Sequence, residues 1–175
     1  MRELRSIVTD DKRLLASTAD LHSYSYDASF GTFLPELIIK PRSATEIAGI
    51  MKWANRHRIP IYPRGQASGL SGGSLPVYGG VVLDLTGMDD RLQVDPEDLV
   101  AVVSPGVLTA RIHQAAEAAG LMYPPDPSSA GISTIGGNLA ENSGGPRGLK
   151  YGVTKDYVIG LEVVTPLGDI IRTGG

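Results

Sequence analysis

Apolar residues in this chain come in short runs, and the spacing between runs changes along its length. Leu37-Ile38-Ile39 reads as a buried-type strand closed by Pro41. Ser43-Ala44-Thr45-Glu46 then predicts a capping box, the serine and glutamate satisfying orphan N–H groups at a helix start. Ile47, Ile50, Met51 and Ala54 keep helical spacing on one face. Ile59-Pro60-Ile61-Tyr62 reads as the next strand, so residues 37–62 predict a βαβ unit with parallel strands. Residues 81–85 give a third strand after Gly79-Gly80.

Polar residues cluster at Asp89-Asp90, where a boundary is expected. A second lobe opens with a strand over 99–103. Leu108, Ile112, Ala115, Ala116 and Ala119 mark a helix that Gly120 ends. From Pro124 to Gly152 the chain reads as a long loop dense in Gly, Ser, Asn and Pro. Residues 158–165 predict a last strand, with a turn at Pro166-Leu167-Gly168-Asp169, and Ile170-Ile171 start a paired strand. The pattern predicts a loop-rich α/β or α+β fold in three parts. Residues 1–34 are a polar, mildly helical lead-in that packs across the domain. Residues 35–90 form a first lobe with a small parallel βαβ-type sheet and helices. Residues 91–175 form a second lobe with a mixed or antiparallel sheet and helices. We expect that second lobe to be cut short and any further domain to be missing.

Composition narrows the functional classes. With 175 residues and 42% hydrophobic content the chain can build a core. A net charge of −3 gives no reason to expect nucleic acid or an anionic membrane surface as partner. No cysteine is present, which removes disulfides, thiolate metal sites, a thiol nucleophile and any tether through sulfur. The charged start lacks a secretory apolar core, and no apolar run is long enough to span a membrane, so a cytoplasmic location is expected. The 22 glycines suggest a fold in which backbone, more than side chain, meets a ligand.

Two segments carry candidate chemistry. The first is Pro63-Arg64-Gly65-Gln66-Ala67-Ser68-Gly69-Leu70-Ser71-Gly72-Gly73. Its glycines allow successive N–H groups to turn inward as a nest for an anion such as a diphosphate. Ser68 and Ser71 offer hydroxyls, and Arg64 a charged donor. Neither GxGxxG nor GxxxxGK[ST] is present, which argues against a Rossmann dinucleotide site and a P-loop. The second is Pro124-Pro125-Asp126-Pro127-Ser128-Ser129, then Thr134-Ile135-Gly136-Gly137-Asn138, Asn142-Ser143-Gly144-Gly145 and Lys150-Tyr151-Gly152. Twin glycines beside asparagines permit close backbone approach to something flat or extended. The bland alternative for both is an ordered surface loop whose glycines serve only turns.

Taken together, PRGxxSGLSGG and PPDPSS…TIGGNLAENSGG…KYGVTKDYVIGLEVV resemble the FAD-binding (PCMH-type) domain of the vanillyl-alcohol oxidase and p-cresol methylhydroxylase superfamily. The likeness runs from about Pro35 onward. It is nearest to the glycolate oxidase flavin subunit and the FAD-linked D-lactate dehydrogenases. The resemblance narrows the fold to α+β and implies two lobes sandwiching an extended FAD. Pro63, Arg64, Gly65, Gln66, Ala67, Ser68, Gly69, Leu70 and Ser71 would wrap the diphosphate. Pro125, Asp126 and Ser129 would line the cofactor channel. Gly136, Gly137 and Asn138 would meet the middle of the cofactor. Asn142, Ser143 and Gly144, with Tyr151 and Gly152 nearby, would approach the flavin.

Some members of that superfamily tether the flavin to a histidine in an RGGHS-like loop. Ala67 stands there in this chain, so the resemblance implies non-covalent FAD. His22, His57 and His113 are expected to pack or to face solvent. The implied chemistry is hydride transfer from a 2-hydroxy acid to flavin. Substrate arginines, a catalytic histidine and metal ligands would come from a cap region that this chain does not hold. No catalytic residue and no metal ligand is named, and the chain alone is expected to bind FAD weakly or not at all and not to turn over. The alternatives are a sugar or alcohol oxidase of the same fold and a non-catalytic subunit of a larger oxidase. Partner subunits or self-association would then be expected.

Overall fold

The computed structural model describes residues 2–174. The chain divides into two compact units. The first holds the residues up to Arg64, Gly69–Leu85 and the residues from Ile159 onward; the second holds Gly65–Ser68 and Thr86–Val158.

In the first unit, β1 (Leu14–Leu15), β2 (Leu37–Ile39), β3 (Ile61–Arg64) and β4 (Val81–Asp84) form one sheet in the order β1-β2-β4-β3. β4 runs parallel to both β2 and β3, and the short β1 adds an antiparallel edge. The expected βαβ unit is present, but its two strands flank β4 and do not pair directly. β1 has too few residues for a periodic signal, so the sequence pattern did not reveal it.

Helix α3 (Ala44–His57) crosses from β2 to β3. Ser43 caps it, its hydroxyl accepting the Glu46 amide at 3.1 Å. The reciprocal half of the expected box is displaced by one residue, because the Glu46 carboxylate accepts the Arg42 amide at 2.8 Å. The same carboxylate is held by both terminal nitrogens of Arg13, at 2.6 and 2.9 Å. Ile50, Trp53 and Ala54 bury the inner face of α3. The lead-in joins this core: α1 (Arg2–Ile7) supplies Leu4, and Val8 follows, both with no exposed surface. Helix α2 (Thr18–Ser23), capped by Ser17, follows β1.

Strands β7 (Gly160–Val164) and β8 (Ile170–Gly174) form a separate antiparallel hairpin. This hairpin belongs to the first unit, not to the residues that precede it in the chain. Its turn is pinned to α3: the Asn55 side-chain amide donates to the Pro166 carbonyl at 2.5 Å. Gly168, at φ 81°, sits so tightly that a β-carbon there would lie 2.6 Å from the Ala48 carbonyl oxygen.

In the second unit, β5 (Leu92–Asp95) pairs antiparallel with β6 (Val100–Val103). The expected strand at 99–103 starts one residue later, since Leu99 takes φ 57° in the connecting turn. Helix α4 (Thr109–Ala118) follows, with Gly120 at φ 73° beyond its end. The stretch expected as a long loop instead holds two short helices, α5 (Ile135–Glu141) and α6 (Gly148–Tyr151). Thr134 caps α5 and Asn142, in the left-handed region at φ 50°, ends it. Those end signals outweigh the poor helix propensity of two adjacent glycines. Val107, Ile112 and Ile135 form the buried centre of this unit.

Candidate functional site

The first candidate segment leaves the carboxyl end of β3, where ligands of parallel α/β sheets collect. Within the second unit, Gly65 abuts Thr134, the cap of α5. Ala67 adopts φ 53°, the left-handed conformation that an anion-holding nest of amides uses. Among the described residues, none of the amides of Gly65, Gln66, Ala67 and Ser68 donates to a main-chain carbonyl. Within the first unit, the same holds for Gly69 and Leu70. Amides left unpaired by the fold are the donors that a diphosphate can use.

Arg64 does not join them. Its side chain is 9% exposed and its Nη1 donates to the Tyr26 carbonyl at 2.8 Å. Burial lowers its affinity for the proton, against the pull of Tyr24, Asp27 and Asp84. The guanidinium lies over the Tyr24 ring, with Cζ 5.3 Å from the centroid. The Tyr24 hydroxyl donates to Asp84 at 2.5 Å, and Lys40 Nζ approaches the same oxygen at 3.4 Å. Burial and then Asp84 push the Tyr24 hydroxyl above its ordinary pKa. Arg64 thus has a structural partner set that the sequence motif did not reveal.

The second candidate segment folds on itself. The Asp126 amide donates to the Gly144 carbonyl at 2.9 Å, which ties the PPDPSS stretch to the NSGG stretch. The Asp126 carboxylate pairs with Arg147 at 3.3 Å. Pro125 is buried, and its carbonyl accepts from His113 Nε2 at 2.7 Å, which fixes the proton on that nitrogen. The Ser129 carbonyl accepts the amides of Ile132 and Ser133. The Gly136 amide donates to the Pro105 carbonyl at 2.9 Å, and the Gly137 amide donates weakly to Thr134 Oγ1 at 3.4 Å.

Asn138 is 2% exposed and its side-chain amide donates to Thr109 Oγ1 at 2.5 Å. Asn142 accepts the Lys155 amide at 3.0 Å, and the Ser143 carbonyl accepts both the amide and the hydroxyl of Thr154. Gly144 packs on Val153, and Gly152, at φ 88°, packs on Asp156. The Tyr151 carbonyl accepts the Tyr157 hydroxyl. Buried threonines 109, 134 and 154 organise these contacts, and sequence reading singled out none of them for a role. Thr134 alone carried a legible signal, as a capping residue before an apolar position.

A family of proteins described as FAD binding domain matches residues 35–174. This chain belongs to that family. Glycolate oxidase subunit GlcD of Bacillus subtilis is 56% identical over 153 residues, covering 87% of this chain and 33% of its own. D-lactate dehydrogenase of Anaerostipes hadrus is 40% identical, covering 93% of this chain and 34% of its own. D-2-hydroxyglutarate dehydrogenase of Stutzerimonas stutzeri is 38% identical, covering 97% of this chain and 37% of its own. The chain spans about a third of the length of these relatives. Among solved structures, p-cresol methylhydroxylase superposes with a TM-score of 0.83 at 26% identity, over 99% of this chain and 34% of its own. Alkyldihydroxyacetonephosphate synthase does so at 0.86 and 26%, with the same coverage. The α+β architecture is that of PCMH-type FAD-binding domains, and FAD is the cofactor of the family.

The site fits that group in one respect above all. Around the left-handed Ala67, the amides of residues 65–68 donate to no main-chain carbonyl among the described residues, a donor set whose chemistry suits phosphate oxygens, and no metal-ligating cluster is found among the described residues.

Proposed function

We propose that this chain supplies the cofactor-binding part of a flavin-dependent oxidoreductase that oxidises a 2-hydroxy acid, of which glycolate and D-lactate are the first to test. The observation that carries the reading is the row of amides at residues 65–68, none of which, among the described residues, donates to a main-chain carbonyl. The names of the relatives, glycolate oxidase subunit and D-lactate dehydrogenase, support the substrate class.

When bound, FAD supplies the two-electron chemistry by accepting a hydride equivalent. The amides of residues 65–70 hold the diphosphate, with the Ser68 hydroxyl beside them. Gly137, with no side chain to intervene, leaves backbone free to approach the cofactor, while Gly136 serves through its close packing on Pro105. Asn142, Ser143, Gly144, Tyr151 and Gly152 shape the flavin end through their backbone. Asn138 serves the middle of the cofactor indirectly, by fixing α5 through Thr109. Ala67 offers no nucleophile, so FAD is held without a covalent bond. The protein acts in the cytoplasm, and no described helix is long and apolar enough to cross a membrane. A relative named as a subunit supports a multi-subunit setting.

The test uses the protein expressed from its complete gene, purified and titrated with FAD while flavin fluorescence is followed. Acid precipitation should release all the flavin into the supernatant. Glycolate or D-lactate should reduce an electron-accepting dye, and glucose should not. Absence of FAD binding ends the reading, and turnover of glucose alone replaces the substrate class with a sugar. The 175-residue chain by itself should give no turnover.

A further inference from the structure

The family match begins at residue 35, after residues 24–29. Residues 24–29 hold both feet of the glycine-rich loop. At the first foot, Arg64 closes β3 and donates to the Tyr26 carbonyl at 2.8 Å while lying against the Tyr24 ring. The Tyr24 hydroxyl reaches the buried carboxylate of Asp84, the residue opposite Arg64 in the β3–β4 register. The Leu85 amide donates to the Arg64 carbonyl at 2.9 Å, immediately before the loop departs.

At the second foot, the Ser74 hydroxyl donates to Asp27 Oδ2 at 3.3 Å. The other oxygen of Asp27 accepts the amide and the hydroxyl of Ser29, at 2.7 and 2.5 Å. Ser29 Oγ stands 3.5 Å from where a β-carbon on Gly72 would be. The segment is itself closed by the Phe33 amide donating to the carbonyl of the buried Ser25 at 2.8 Å.

We propose that residues 24–29 are a strap that pre-sets the loop for the FAD diphosphate, with Tyr24 and Asp27 as positioning residues. The inference rests on the reading that residues 65–71 hold that diphosphate. A glycine-rich loop loses more backbone entropy on ordering than any other composition. Fixing its two ends before the ligand arrives removes part of that cost from binding and raises affinity without adding a contact.

The experiment compares Tyr24→Phe, Asp27→Ala and the double variant with the unaltered protein, each made from the complete gene. FAD affinity is read by flavin fluorescence at a temperature where circular dichroism shows every variant folded. Hydrogen exchange of the amides at 65–73 is read by mass spectrometry without FAD. Each single variant should weaken FAD roughly three- to tenfold, the double variant more, and exchange in the loop should quicken. A role confined to stability would lower the melting temperature and leave both readouts unchanged. Folded variants that bind FAD within twofold of the unaltered protein overturn the strap. If Asp27→Ala fails to fold, Ser74→Ala removes the same contact from the other side and is judged by the same criteria. Unaltered protein that binds no FAD removes the loop's role and the strap with it. Bound FAD with indifferent variants removes only the strap.

Discussion

A β-carbon on Gly65 would fall well inside van der Waals distance of Thr134 Oγ1, so close that one of the two must move. Thr134 is 2% exposed and caps α5 with that same oxygen, so it has nowhere to retreat. Gly65→Val should therefore cost about 1–3 kcal/mol through overpacking. It should also weaken FAD binding tenfold or more by displacing the loop. Thermal unfolding and an FAD titration on one preparation check both effects.

Gly145 and Gly131 make a matched pair. Gly145 has φ 108°, and a β-carbon there would overlap the Asp126 carbonyl, whereas Gly131 faces open space. Gly145→Ala should destabilise by about 3 kcal/mol or more, since it combines a backbone clash with a strained φ. Gly131→Ala should change stability by about 0.5 kcal/mol at most. Urea unfolding midpoints of the two variants decide this.

Asn138 and Thr109 share a hydrogen bond in the closed interior of the second unit, and Thr109 Oγ1 also lies 3.1 Å from the Ser133 carbonyl. Thr109→Val keeps the shape and strands the Asn138 amide. The expected loss is about 1–3 kcal/mol. Differential scanning calorimetry should show the fall in melting temperature, and a loss below about 0.5 kcal/mol would count against an internal role for Asn138.

The Arg13 guanidinium, followed by the Arg42 amide, holds the Glu46 carboxyl below its ordinary pKa against the opposing effect of burial. A carboxyl that is more acidic folded than unfolded adds stability above its unfolded value and loses it as pH falls through the folded value. Stability should decline from about pH 4.3 downward. Glu46→Gln should flatten that decline and cost about 2 kcal/mol at pH 7, less than for a fully buried pair because a fifth of its side chain is exposed. Glu3 is lowered by His57 and then Arg56, but it sits in solvent and contributes little to the curve. Denaturant midpoints at pH 7, 5, 4 and 3 test the sign.

The parallel sheet was legible because Leu37-Ile38-Ile39 and residues 81–84 are nearly continuous apolar runs, as strands buried on both faces must be. Helix α3 was legible from its serine cap and its spacing. What escaped was short or set by long-range contacts. β5 has only Leu92 and Val94 as apolar residues, each followed by a polar one, and α5 carries two glycines that its caps and the Pro105 contact hold in place. The candidate loop was legible as a glycine pattern, yet Arg64, the one charge in it, turned inward. Its partners, Tyr24 and Tyr26, lie 38 and more residues earlier in the chain, beyond the reach of any local motif.

The β7–β8 hairpin, whose turn is fastened to α3, keeps both lateral backbone edges without a strand alongside among the described residues. Leu161 and Ile171 show 38% and 44% of their surface. In a concentrated solution such rows of open amides and carbonyls behave as adhesive tape, joining molecule to molecule in register. Handling of this chain is therefore governed by dilution and by charge placed on that ribbon. Lysine at position 171 is the first substitution to try against clumping.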